Sequence, residues 1–133
     1  MEKLTKAVRN EFYYEAIFIE YAILEDRTES LLRHASYKTK NIDGNNISLY
    51  EKINKINLCS KFNDKYIKKH ITIDFMNKID NWRKKRNKLI HDLINCSYKD
   101  EHVKIIADEG YEIVKKMNSK TTMVNKFLDT MNN

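Results

Sequence analysis

Proline is absent from this chain of 133 residues, and glycine occurs only at Gly44 and Gly110. A β-rich domain of this size needs many tight turns, and turns draw on those two residue types. Their scarcity predicts a few long helices. Cysteine is equally sparse. Cys59 and Cys96 are too few for a disulfide framework. They read as ordinary thiols on helices in a reducing cytosol. No Cys-x-x-Cys or His-x-x-x-His pair offers a zinc site, and no glycine-rich loop would cradle the phosphates of a nucleoside triphosphate. No cofactor or metal is therefore expected. The longest apolar stretch, Phe12 to Leu24, carries Glu15 and Glu20 and is too short to cross a bilayer. The polar start, Met1-Glu2-Lys3-Leu4-Thr5-Lys6, does not read as a secretion signal. One cytoplasmic domain over 1–133, not associated with a membrane, is the expectation.

The formal charge is +6. Lys, Ile and Asn dominate the composition, as codon bias alone would produce, so the distribution of charge says more than its sum. Residues 65–88 hold nine basic side chains against Asp74 and Asp80. The rest of the chain is close to neutral. A localised basic field marks a surface that attracts polyanions.

Periodicity predicts four to five helices, the first and last of them long. Leu4, Val8, Phe12, Ile19, Ile23 and Leu31 place one helix over 4–36. Phe12 to Leu24 is apolar nearly all round, which implies central packing or a subunit interface. Asp43-Gly44-Asn45-Asn46 reads as a turn within the loop from Lys38 to Asn46. Ser48 and Glu51 have capping-box spacing and open a helix over about 49–61. Asn63 is placed to cap a short helix ending near His70. Thr72 and Asp74 open a helix over about 73–95 whose inward face carries Phe75, Ile79, Trp82, Leu89 and Leu93. A break at Ser97 to Asp100 precedes a last helix to about 131. There Val103, Ala107, Gly110, Val114, Met117, Thr121, Val124, Leu128 and Met131 recur at alternating fours and threes. The stripe suits a long bundle helix better than a dimeric coiled coil, because Gly110 and Thr121 interrupt the seam.

Within the basic segment, Arg86 and Asn87 precede His91, with four residues between the arginine and the histidine. A second such spacing, Arg27 to His34, lies among Glu25, Asp26 and Glu29. A bare spacing of this kind arises easily by chance. Asn87, the basic surroundings, and a position late in the chain before one more long helix all favour Arg86 and His91. On these residues the sequence resembles the HEPN superfamily of small all-α proteins, whose signature is R-x(4–6)-H with a polar residue after the arginine. The resemblance implies a HEPN-like helical bundle acting as a homodimer. It also implies a metal-independent endoribonuclease of the toxin or phage-defence type, with RNA as substrate and an antitoxin protein as a possible partner. Arg86, Asn87 and His91 would be catalytic, and Arg83, Lys84, Lys85 and Lys88 would draw in RNA. One subgroup carries a tyrosine two residues after the histidine. Leu93 stands there in this chain, and the next tyrosine is Tyr98.

The residue types suit the chemistry. RNA carries its own nucleophile, the 2′-hydroxyl. Histidine can move protons near neutral pH, and the arginine fork can hold two phosphorane oxygens. On an ideal helix Arg86 and His91 point about 140° apart, whereas Asn87 and His91 share a face. The resemblance supplies the remedy, two protomers meeting in one cleft. Each residue also has a plainer role. His91 could cap a helix end, and Arg83 and Arg86 could pair with the acidic end of the first helix. Trp82, Tyr13, Tyr14 and Tyr21 suit packing, and His34, His70 and His102 suit the surface. Two other readings remain: a catalytically inactive RNA- or nucleotide-binding module of the same fold, and a helical protein-interaction module. A helix-turn-helix DNA binder lacks its short glycine-containing turn.

Overall fold

A computed structural model describes residues 1–95 and 99–132. Among them are six α-helices, α1 (Glu2–Arg9), α2 (Tyr13–His34), α3 (Leu49–Leu58), α4 (Lys65–His70), α5 (Ile73–Ile94) and α6 (Asp100–Asn132), and a 3-10 turn at Ser60–Asn63. The described residues contain no strand, only an isolated antiparallel bridge between Lys40 and Asn46. None of the helices is long and apolar enough to cross a membrane.

The all-helical expectation holds, but the described residues form six α-helices rather than four to five, because the first helix is shorter than 4–36. It ends at Arg9, and α2 starts anew at Tyr13. Glu11 adopts φ 62° between them. The amide of Phe12 donates to the Ala7 carbonyl at 2.8 Å and that of Glu11 to Val8 at 3.2 Å. This is a Schellman closure, which usually recruits glycine. Ser36, with φ 65°, closes α2 in the same way, the Tyr37 amide donating to Leu32 at 2.9 Å.

Side-chain caps set the later starts. Ser48 accepts from the Glu51 amide at 3.2 Å, as the capping-box spacing predicts. Thr72 accepts from the Phe75 amide at 3.0 Å and opens α5. Asp64, not Asn63, caps α4, accepting from the amides of Tyr66 and Ile67. Asn63 ends the 3-10 turn instead. Cys59 lies in extended backbone between α3 and that turn rather than on a helix, and is a buried free thiol. Cys96 and half of the expected break from Ser97 to Asp100, namely Ser97 and Tyr98, lie outside the described residues.

Helix α6 is the axis of the bundle. It packs most extensively on α2 and also touches α1, α4 and α5. The expected stripe from Val103 to Leu128 is buried throughout, and Met131 alone is exposed. Glu20 meets Gly110, Ser30 bonds Asn125 and His34 bonds Asp129, so α2 and α6 run parallel. Trp82 donates to the Ile106 carbonyl at 2.9 Å, and Lys120 lies over the Phe75 ring. Helix α5 is therefore antiparallel to α6. Its buried face is Phe75, Met76, Ile79, Trp82 and Leu89, with Leu93 half-buried. Arg86 continues that face, one turn from both Trp82 and Leu89, and meets α2, while Arg83 and Asn87 lie to one side of it, Arg83 against Tyr50 of α3.

Candidate functional site

Arg86 and His91 stand on the last three turns of one unbroken helix, α5. Each is held by different neighbours. Arg86 is half-buried, and its guanidinium carbon lies 4.0 Å from the centroid of the Tyr21 ring and 5.9 Å from that of Phe18, both on α2. Its Nη1 donates to Asn87 Oδ1 at 3.1 Å. Its Nε is buried without an acceptor. His91 is exposed, and its Nε2 lies 3.4 Å from the Asn95 side-chain nitrogen at the helix end. The structure thus brings Arg86 and Asn87 together and leaves His91 one turn beyond Asn87, directed elsewhere.

The four neighbouring cations have carboxylate partners. Arg83 Nε donates to Asp80 at 2.8 Å and its guanidinium lies 5.0 Å above the Tyr50 ring. Its side chain is only 15% exposed. Lys84 is 3.5 Å from Asp80, Lys85 is 3.0 Å from Glu109, and Lys88 is 3.9 Å from Asp92. Glu109 comes from α6 and Asp92 from beyond the basic segment. The local field is therefore weaker than a count along residues 65–88 implies. Exposed lysine pairs are worth little, roughly 0–1 kcal/mol, so the lysines can exchange their partners for another anion. Arg83 is fixed on both sides. Among the described residues Arg86 is the one cation from Arg83 to Lys88 with no carboxylate partner. The alternative motif is differently placed, with Arg27 paired to Asp26 and His34 to Asp129.

Two features behind this face were not legible as a motif. Burial pushes the Tyr21 phenol above its ordinary value, with Glu25 adding to the rise and the Arg86 and Arg83 cations opposing it. Glu20, adjacent on α2, is fully buried and neither carboxyl oxygen has a hydrogen-bond partner. Burial, reinforced by Asp108, pushes its carboxyl up to about 9. An acid so placed is neutral at pH 7. The residues that meet Arg86 are about 65 positions away along the chain, and periodicity assigns Tyr21 to a face without saying which cation lies on it. A glycine inside the α6 stripe was the available signal for Glu20, because it marks a close approach. A Cβ on Gly110 would collide with the Glu20 carboxyl and come within 2.8 Å of Trp82 Cζ2.

No family model, curated protein or solved structure matches the chain.

Proposed function

We propose that this protein is a HEPN-like, metal-independent endoribonuclease of the toxin or phage-defence type that works as a homodimer with a composite Arg/His site. The observation that carries the reading is the solitary charge of Arg86. Four of the five cations from Arg83 to Lys88 face a carboxylate, and the fifth, the arginine of the motif, faces aromatic rings and Asn87. A guanidinium stacked on a ring keeps its N–H edge for a second partner, and its planar fork matches a phosphate.

In the proposed reaction the 2′-oxygen attacks phosphorus and gives its proton to one imidazole. The P–O5′ bond breaks and the leaving oxygen takes a proton from a second acid. Arg86 holds the charge that gathers on the phosphorane. The products are a 2′,3′-cyclic phosphate and a 5′-hydroxyl. One protomer directs Arg86 and His91 to different sides of α5, so the second imidazole and the closure of the site come from a second copy.

His91→Ala removes the proton carrier from an exposed position and leaves the core untouched. The expected outcome is loss of cleavage by at least about 100-fold, with unchanged helicity by circular dichroism. The assay is mass spectrometry of RNA fragments for cyclic-phosphate ends, beside sedimentation for the dimer. Undiminished cleavage by His91→Ala, or full activity from a monomer, refutes the mechanism. The divergence of His91 from Arg86 favours one rival, a catalytically inactive module of the same fold. That reading predicts salt-sensitive RNA binding by the wild type and no cyclic-phosphate product.

A further inference from the structure

Arg86 lies against one face of α2 at two successive levels. Phe18 and Tyr21 are three residues apart and so neighbour each other on the helix surface. The guanidinium is close to Tyr21, at 4.0 Å, and farther from Phe18, at 5.9 Å. Tyr21 is half-buried, whereas Phe18 is 56% exposed. A lone exposed aromatic is commonplace on protein surfaces. Phe18 differs because it borders the guanidinium that has no carboxylate. A flat apolar ring beside an uncompensated, fork-shaped cation offers two kinds of contact side by side, one for a π-face and one for a phosphate.

We infer that Tyr21 positions Arg86, and that Phe18 is the stacking subsite for an unpaired nucleobase beside the phosphate that Arg86 binds. The ligand is taken from the ribonuclease reading, and the subsite extends it. The Tyr21 ring takes the flat face of the guanidinium through its quadrupole and so orients the N–H edge outward. Arg83 shows the contrasting case, with Asp80 at its Nε and a tyrosine beneath it. At Arg86 the Nε lacks any such acceptor and the Nη1 bond to Asn87 is neutral, so the ring contact carries more of the orientation. Phe18 can accept any base, because every base has a π-face. The base must first leave its helical stack, which a continuous duplex resists. The site therefore takes single-stranded or looped RNA.

The test separates binding from cleavage. A fluorescein-labelled 2′-O-methyl oligoribonucleotide has no free 2′-hydroxyl and is not cut, so anisotropy reads binding alone. Phe18→Ala is expected to weaken the single strand about tenfold, the scale of one lost base–aromatic stack, and to leave a 2′-O-methyl duplex unaffected. Phe12→Ala, at a ring 57% exposed on the preceding turns, is the control and leaves both unchanged. On unmodified RNA, Tyr21→Leu lowers kcat with little change in KM, and Tyr21→Phe restores it because the ring alone is required. Should Tyr21→Leu fail to fold, the Phe18 measurement decides. Equal weakening of single strand and duplex by Phe18→Ala, or none, overturns the subsite. Conversion of a dimer to monomer by Phe18→Ala also overturns it and makes the ring a contact between copies. Phe18-dependent binding without cleavage by the wild type removes the ribonuclease and keeps the subsite, whereas wild-type cleavage indifferent to Phe18 does the reverse.

Discussion

Glu20 sits where α2, α5 and α6 meet, with a glycine before it and a tryptophan ring beside it. Its folded-state carboxyl titrates near 9, against 4.5 for the free side chain. The folded protein therefore holds a proton that the unfolded chain releases, and stability falls as pH rises from about 4.5 to about 9. The contribution is fully present below the lower value and lost through the upper one. At pH 7 the unfolded chain gains roughly 3 kcal/mol from ionising this group. Glu20→Gln cannot ionise and preserves shape. It is expected to raise stability at pH 7 by about that amount and to flatten the pH dependence between 5 and 9, measured by urea denaturation. Identical pH profiles for the variant and the wild type would show that another group controls the alkaline limb. Gly110 is the complement of Glu20. Alanine normally stabilises a helix by about 1 kcal/mol over glycine. Here its Cβ would strike the Glu20 carboxyl and a buried indole, so Gly110→Ala is expected to destabilise by about 1–3 kcal/mol in the same assay.

Among the helices, most boundaries were legible and the junction between α1 and α2 was not. Ser48 and Thr72 cap α3 and α5 where the sequence places them, because a cap is a local bond between a side chain and an amide two or three residues on. The stop of α1 was hidden, whereas that of α2 at His34 lies within two residues of the expected 36. Both use a residue in the left-handed region, and neither uses the glycine or asparagine that announces one. Glu11 occupies φ 62° at a cost that glycine would not incur. Glu11→Gly is therefore expected to stabilise the protein by up to about 1 kcal/mol, despite the entropy lost on ordering glycine. Thermal melts check this, and a lower Tm for the variant would contradict the strain argument. Periodicity located the buried faces of α5 and α6 nearly residue by residue, since a 3.6-residue repeat is set by backbone geometry alone.

For the whole bundle, charge is the quantity that folding redistributed most. Along the chain the basic segment looks uncompensated. In space, Asp80, Glu109 and Asp92 stand against Arg83, Lys84, Lys85 and Lys88. Nine free cations would give a slope of about −6 in log affinity against log salt for a single strand. Carboxylates already occupying most of the motif's neighbours reduce the counterions released. With four of the nine paired, the expected slope is about −3.5, measured by anisotropy with the uncleavable oligonucleotide between 50 and 200 mM salt. A slope near −6 would mean that the lysine pairs open completely on binding.

The amino-acid order alone determined that this chain is helical, where α3 and α5 begin and which faces α5 and α6 bury. Proline and glycine are scarce, caps are local, and hydrophobic periodicity is a property of one segment at a time. It also presented Arg86, Asn87 and His91 as a candidate group. Only the tertiary structure decided that Arg86 rests on Tyr21 without a carboxylate, that Lys85 pairs with Glu109, and that Glu20 is buried against Gly110. Those outcomes depend on helices far apart in sequence meeting at particular angles, and such long-range contacts leave no periodic signal in the segments that make them.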